Sequence, residues 1–300
     1  MGITIRRYKE EDFEQIQKID FMLWLSIQWN QSYHKEDIFT AVDEEDGVVG
    51  VTALFWDGTW YYLEKENPNV TYYRMQMDIA VLPGYHKEDA VKDKLIKKQK
   101  QHFAKYEKQH PDKSLRLRYW IMSDQKEELQ RFLKHGFICF GNTPILAFDL
   151  SRKLPAPKGI DSVQIGIHKC DEEGIQAYLK ANEAGFGGIQ DSEDEFRFKI
   201  NADEFKLFTA KVQDRVVSSC TIWKLGEGHF ATENIFTIPE YRRKGIGQEM
   251  LYTVLRYLKE KGVKVATLTV LGSNKPALAM YEKMGYRLAD VLHEMHYYET

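Results

Sequence analysis

The sequence predicts an α/β (α+β) chain of two tandem domains built on one plan. The chain is 300 residues long, and about 100–200 residues per domain makes two the expected number. Its midpoint holds Ser151-Arg152-Lys153-Leu154-Pro155-Ala156-Pro157-Lys158-Gly159, which joins neither a helix nor a central strand because proline lacks the amide donor. Each half shows the same order of elements, anchored by two close matches. Ile79-Ala80-Val81-Leu82-Pro83-Gly84-Tyr85 aligns with Ile235-Phe236-Thr237-Ile238-Pro239-Glu240-Tyr241, and Leu129–Phe137 aligns with Leu278–Tyr286. The expected domains are 1–150 and 161–300, with a linker at 151–160.

In the second half, Val163–His168 alternates as a strand. Asp171 caps a helix running through Ala181, its carboxylate accepting from the free amides of the first turn. Phe205–Val212 and Val216–Trp223 are strands about the turn Gln213-Asp214-Arg215, and Phe230–Ile238 is a further strand. Gly247–Lys261 places Met250, Leu251, Val254, Leu255 and Leu258 on one helical face, and Gly262 ends it. Val263–Leu271 has the composition of a strand buried on both faces. Lys275–Met284 is a helix stopped by Gly285, and Tyr286–Tyr298 closes as a strand. The first half repeats this. Its strand Ile3–Tyr8 precedes a helix Asp12–Gln28, paired strands Phe39–Asp43 and Val48–Trp56, and a strand Tyr72–Leu82. A Lys-rich helix Asp89–Gln109, a strand Leu115–Met122, a helix Lys126–His135 and a closing strand Phe137–Leu150 follow.

Composition excludes several classes. Hydrophobic residues at 43% and aromatics at 13% supply a core and argue against disorder. Lys and Arg number 21 against 24 Asp and Glu in residues 1–150, and 21 against 21 in 151–300. Neither half has the excess cation that nucleic acid binding needs. Cys139, Cys170 and Cys220 are scattered, which fits a reducing cytoplasm and offers neither a disulfide framework nor a zinc site. The most apolar run, Phe21–Ile27, is far short of the ~18 residues of a membrane span. The start of the chain lacks the apolar core of a signal peptide.

The strongest chemical signal is Arg242-Arg243-Lys244-Gly245-Ile246-Gly247-Gln248, between a strand and a helix. Two glycines let the backbone approach a ligand closely. The first amides of the helix have no intrahelical acceptors, and with the helix dipole and three preceding cations they form an anion site suited to a pyrophosphate. The hydrolase spacing G-x-x-x-x-G-K-S/T is absent. The dinucleotide pattern G-x-G-x-x-G fails because Met250 stands at its third glycine.

This segment resembles the coenzyme A signature of the GNAT superfamily of N-acetyltransferases, Q/R-x-x-G-x-G/A, filled here by Arg242, Gly245 and Gly247. Asn274 through Tyr281, Glu282, Gly285 and Tyr286 resembles the family's last signature, N-x(6)-Y-E-x-x-G-F/Y. The resemblance covers most of 161–300 and more loosely 1–150, a layout similar to tandem members such as mycothiol synthase. It implies two GNAT-like domains, each a mixed, mostly antiparallel twisted sheet flanked by helices and splayed between its fourth and fifth strands. By position, Ile235, Phe236 and Thr237 would offer backbone groups to the acyl-pantetheine arm of acetyl-CoA. Arg242, Arg243, Lys244, Gly245, Ile246, Gly247 and Gln248 would hold the pyrophosphate, and Asn274 would contact the arm.

The implied reaction is direct attack of an amine on the acetyl thioester, with no metal. Tyr281, at the family's Tyr position, is the candidate acid for the departing thiolate. Glu233, on the strand before Pro239, is the candidate base, with Asn234 expected on the opposite face by alternation. In the first copy, His86, Asp89 and Val91 stand opposite Arg242, Gly245 and Gly247, while Gln125 and Phe132 stand opposite Asn274 and Tyr281. Asp89 would repel a phosphate, Val91 would block backbone approach and Phe132 has no proton to give. The first domain is therefore expected to be degenerate and non-catalytic. The expected protein is a cytoplasmic monomer or homodimer that acetylates a small-molecule amine. A protein N-terminus or lysine is the alternative acceptor, and a non-catalytic coenzyme A sensor or scaffold is the alternative class. Ala184–Gly188 is expected as a flexible loop near the acceptor. The run Lys92–Lys108 is read as a solvated helix face, His293 and His296 as a poor metal pair, and Trp56, Trp60, Tyr61 and Tyr62 as a hairpin core.

Overall fold

The computed structural model describes residues 2–29, 33–57, 63, 70–188 and 191–298. The chain runs β1 (Thr4–Arg7), α1 (Phe13–Ile19), α2 (Phe21–Trp29), β2 (Tyr33–Asp43), β3 (Gly47–Asp57), β4 (Tyr73–Val81), α3 (Glu88–Gln109), β5 (Leu115–Met122) and α4 (Lys126–Lys134). It continues with β6 (Ile138–Asp149), β7 (Gln164–His168), α5 (Glu172–Phe186), α6 (Glu193–Lys199), β8 (Lys206–Val212), β9 (Arg215–Gly226) and β10 (His229–Thr237). It ends with α7 (Ile246–Glu260), β11 (Val265–Thr269), α8 (Lys275–Met284) and β12 (Arg287–Tyr297). Trp60, Tyr61 and Tyr62 lie outside the described residues. Trp56 is buried against Tyr106, with ring centroids 5.7 Å apart.

The chain forms two compact units. One is Met1–Gly141 with His293–Thr300, and the other is Asn142–Leu292. The boundary expected at 151–160 thus falls inside the second unit. Two local reasons account for this. Strand β6, expected to close the first half, pairs antiparallel with β11 from Val265↔Asp149 to Thr269↔Ile145. The proline run after it is tied to α7: Lys259 Nζ donates to the carbonyls of Leu150 and Arg152 at 2.7 and 2.6 Å, and Arg256 donates to Pro155 O at 3.2 Å.

In the first unit, β1 to β4 pair antiparallel in chain order and β4 runs parallel to β5. The end of β12 follows β5 and carries the core residue Met295. The single helix expected over 12–28 is broken at Asp20, whose backbone is extended at φ −154°. Its carboxylate accepts the Leu23 amide at 2.9 Å and so starts a second helix. Helix α3 buries Val91, Leu95, Ile96 and Phe103 on one face. Lys94, Lys97, Lys105 and Lys108 are exposed on the other, the arrangement expected of the basic run.

The second unit orders its strands β6-β11-β10-β9-β8-β7. Met250, Leu251, Val254, Leu255 and Leu258 of α7 are fully buried among Val217, Cys220 and Ile222 of β9 and their neighbours. Helix α5 packs against β9 and β10. Asp171 caps α5 by accepting the Gly174 amide at 3.0 Å, as expected. The helix runs further than expected, however, to Phe186, and Gly187 stops it at φ 76°. Ala184–Phe186 is therefore its last turn and not a loop. A Cβ on Gly185 would lie 2.4 Å from the Phe236 ring, so glycine is what lets α5 rest on β10. Helix α6, absent from the sequence expectation, starts at a capping box of Ser192 and Glu195.

Candidate active site

The site is built where β10 leaves β11. Their parallel register covers only His229↔Val265 to Ala231↔Thr267, although β10 continues to Thr237. Glu233–Thr237 therefore lies on an opened edge, the splay that the fold resemblance implied. On its other side β10 carries a β-bulge: Glu233 faces Thr221 and Phe236 faces Ser219, so three steps match two. Asn234 adopts φ 49°, the left-handed region. Ile235 follows it on the edge. The Phe236 ring is buried against Tyr178 and Phe186. Its carbonyl accepts from Ser218 Oγ at 2.5 Å, so that acceptor is already engaged.

The end of β10 meets the first turn of α7. Pro239–Tyr241 forms a 3₁₀ turn, Arg243 takes φ 62° and Gly245 takes φ 81° at the helix N-cap. No side chain caps α7, and the first bond back into the helix is Glu249 N to Gly245 O. This leaves the amides of Ile246, Gly247 and Gln248 as the outward-facing donors of the first turn. The acid of that turn, Glu249, is buried and paired with Arg256 at 2.5 Å, so it does not oppose an anion. A Cβ on Gly247 would lie 3.1 Å from Thr237 Oγ1, which places the glycine face against the strand end. Arg243 and Lys244 are exposed, and the Lys244 ammonium stands 4.9 Å from the Tyr241 ring centroid. Arg242 differs from them. Its guanidinium donates to Thr237 O at 2.9 Å and Gly185 O at 2.7 Å, tying the loop to β10 and α5. Two of its donors are thereby withdrawn from any phosphate.

Asn274 also has a structural task. Its side-chain oxygen caps α8 through the Ala277 amide at 3.3 Å. About two turns further on, Tyr281 is 5% exposed, with its ring 5.7 Å from that of Tyr286. Burial pushes the Tyr281 phenol up, and the neighbouring Cys220 adds to the shift. Cys220, itself raised by burial and then by the Glu233 charge, links the surroundings of the two candidate groups. A 180 Å³ hollow lined by Glu204, Lys206, Phe230, Tyr257, Leu258 and Lys261 lies at the other end of α7. It falls below the ~300 Å³ of ordinary ligand pockets.

A buried polar cluster beside β10 had no counterpart in the sequence reading. Asp191 Oδ2 accepts from Asn234 Nδ2 at 2.6 Å and from the Tyr178 hydroxyl at 3.2 Å, while Asp191 Oδ1 accepts from Lys199 Nζ at 2.6 Å. Asn182 donates to the Tyr178 hydroxyl at 3.0 Å. Strand alternation would have sent Glu233 and Asn234 to opposite faces. The register shift between Glu233 and Phe236 interrupts that alternation. The capping box at Ser192 was a legible signal for α6, but nothing local in the sequence pairs Asp191 with residue 234.

The corresponding place in the first unit is filled. Helix α3 starts with Glu88 and Asp89, and Asp89 is bonded to Arg131. Val91 is fully buried, and a Cβ on Gly50 would lie 2.7 Å from its Cγ1. Phe132 stacks on Tyr119 with ring centroids 4.1 Å apart. Glu88 and Asp89 are paired with Lys92 and Arg131, so what distinguishes this helix start from that of α7 is the buried Val91 side chain where Gly247 leaves space. His296 is buried and bonded to Glu294 at 2.9 Å. Among the described residues no three His, Cys, Asp or Glu side chains gather as a metal site.

An opened parallel strand pair thus stands beside an uncapped, glycine-faced helix start, the arrangement that the resemblance implied. Residues 172–286 match the Acetyltransferase (GNAT) family. Over 67 residues it is 36% identical to the ribosomal protein bS18-alanine N-acetyltransferase of Escherichia coli strain K12. That match covers 22% of this chain and 44% of the relative, so the chain spans less than half of the relative's length. Among solved structures, a GCN5-related N-acetyltransferase from Sphaerobacter thermophilus shares the fold. Its TM-score is 0.67 at 14% identity, covering 98% of this chain and 95% of that one. A tandem GNAT protein from the clavulanic acid biosynthesis pathway gives a TM-score of 0.66 at 11% identity, over 99% and 98%. The tandem GNAT layout is thus the fold of the chain.

Proposed function

We propose that the protein is an acetyl-CoA-dependent N-acetyltransferase whose chemistry resides in the second unit. The observation that supports this best is the β10 edge, open beyond Ala231, beside an α7 first turn whose acid is neutralised by Arg256. The coenzyme supplies an acetyl group activated as a thioester. Ile246, Gly247 and Gln248 hold its pyrophosphate through their amides, with Arg243 and Lys244 supplying charge. Arg242 positions that loop through its two carbonyl contacts. Ile235 and Thr237 offer backbone groups to the arm, and Asn274 sets the start of α8.

A lysine-like amine has a pKa of ~10.4 and must lose a proton before it attacks. Glu233 takes that proton, directly or through a water. The new C–N bond forms as the C–S bond breaks, and the departing thiolate takes its proton from Tyr281. Burial suits Tyr281 to this task because it keeps the phenol neutral through physiological pH.

The first unit takes no part in coenzyme binding, since Asp89, Val91 and Phe132 occupy the equivalent positions. The acceptor is a small-molecule amine. A second reading, a protein N-terminus, draws support from the 67-residue match to an enzyme named for a ribosomal protein alanine. Calorimetric titration with acetyl-CoA, followed by thiol release with small amines and with an N-terminal alanyl peptide, tests all three statements. One site per chain and turnover on a small amine is the expected result. Two sites would refute the inactive first unit, turnover on the peptide alone would select the second reading, and binding without turnover would make the domain a coenzyme sensor.

A further inference from the structure

Asn234 is a left-handed residue in the middle of the coenzyme-facing strand. Such a backbone is unfavourable for a residue with a Cβ, though asparagine tolerates it better than most. It persists only where the surroundings fix it. Here the surroundings are explicit. The Asn234 amide donates to Asp191 Oδ2 at 2.6 Å, the same oxygen that Tyr178 of α5 contacts at 3.2 Å. The other Asp191 oxygen is held by Lys199 at the end of α6, at 2.6 Å. Burial acts to lower the Lys199 ammonium, but the Asp191 carboxylate together with Glu233 and Glu195 outweighs it and Lys199 is raised. Asp191, Tyr178 and Asn182 are at most 6% exposed, so the cluster is a built one and not a surface pairing.

We infer that Asp191 is a positioning residue that latches the β10 bulge to α5 and α6, and so fixes the edge along which the acyl arm lies. This rests on the reading of the second unit as coenzyme-binding. Asp191 does not touch the reacting atoms. It sets φ at Asn234, and that φ sets where Ile235 presents its backbone. The pyrophosphate turn at α7 lies beyond Thr237, outside the latch. The latch should therefore matter for ligands with a pantetheine arm and be nearly silent for a pyrophosphate that lacks one.

The test compares acetyl-CoA with ADP, which carries the pyrophosphate without the arm, by calorimetry on the full chain. Asn234→Ala and Asp191→Ala should each weaken acetyl-CoA by about tenfold and leave ADP within about twofold. The double variant should be no weaker than the worse single one, since both changes break one interaction. Asn234→Gly should recover most of the acetyl-CoA affinity, because glycine adopts the left-handed conformation unaided. Equal losses for both ligands, multiplying effects, or Asn234→Gly as weak as Asn234→Ala would each overturn the latch. Should Asp191→Ala not melt cooperatively, the Asn234→Ala and Asn234→Gly pair decides alone. A wild-type chain that binds neither ligand would defeat the coenzyme reading itself, whereas wild-type binding with indifferent variants defeats only the latch.

Discussion

Replacing Gly247 by valine separates coenzyme binding from folding. The Cβ of residue 247 would lie 3.1 Å from Thr237 Oγ1, in the gap between the strand end and the helix start. Thr237 Oγ1 is itself held by Ser218 Oγ at 3.0 Å, so it has little freedom to retreat. The two methyl groups of valine would project further into the path of the ligand. A hydrogen bond to a charged group contributes about 1.5–3 kcal/mol, so lifting a pyrophosphate off two of the three amides forfeits roughly 3–6 kcal/mol. At 1.4 kcal/mol per tenfold, the acetyl-CoA Kd should rise by about 10²–10⁴. Helix propensity favours valine over glycine by a few tenths of a kcal/mol, so a fall in Tm would report the tight Thr237 contact and is measured separately from binding. Val91→Ala, at the matching place in α3, is the control. It deletes two buried methyl equivalents at about 0.8 kcal/mol each and should lower stability without touching binding. Calorimetry and thermal melting on both variants give the answer. Equal loss of binding at residues 91 and 247, or undiminished binding in Gly247→Val, would refute the assignment of one working helix terminus.

Three further outcomes follow from the geometry. Tyr281→Phe should lower kcat by the ~10²–10⁴ typical of a lost general acid while leaving the coenzyme Kd unchanged. The wild-type rate should also show no falling alkaline limb from Tyr281 below about pH 10, because burial raises its phenol above the ordinary value. Gly185→Ala should cost roughly 1–3 kcal/mol by overpacking, visible as a lower Tm, since its methyl would meet the Phe236 ring at 2.4 Å. Asp43 is held down to about 2 by the Glu45 amide and the Tyr85 hydroxyl. Its folded pKa lies below the unfolded one, so its stabilisation is complete above about pH 4 and drains away as pH falls toward 2. Acid unfolding of Asp43→Asn should be flatter across that window, and an unchanged profile would remove Asp43 as its source.

Local chemistry made most elements legible. The apolar face of α7, the Asp171 cap of α5 and the glycine stops at 262 and 285 all act within one or two turns, and each appears where the pattern placed it. The misses share a different cause. Asp20 is only one of many acids in a helical pattern, and it breaks α1 from α2 because its side chain finds the Leu23 amide. The destination of the closing strands could not be read at all. Both 137–150 and 286–298 are β-type sequence after a glycine, and nothing within either run distinguishes β11 from β5 as its neighbour. That choice is made by non-local pairing, which no window of sequence contains.

The site divides along the same line. A motif fixes backbone geometry more securely than it fixes the use of a side chain. Gly245 is needed for its left-handed φ and Gly247 for its missing Cβ, and both requirements are visible in the residue type. Arg242 and Asn274 fill motif positions just as well, yet one clamps two carbonyls and the other caps a helix. The resemblance implied ligand contacts for both because they fill its motif positions. The fold supplied competing backbone partners within 3.3 Å, carbonyls for Arg242 and an amide for Asn274, and a polar group already satisfied by the backbone gains little by leaving it. Asp191 is the converse. It belongs to no motif, but the bulge at Asn234 creates a demand that only a buried acceptor between α5 and α6 can meet. Strain in one element thus points to the partner that sequence spacing conceals.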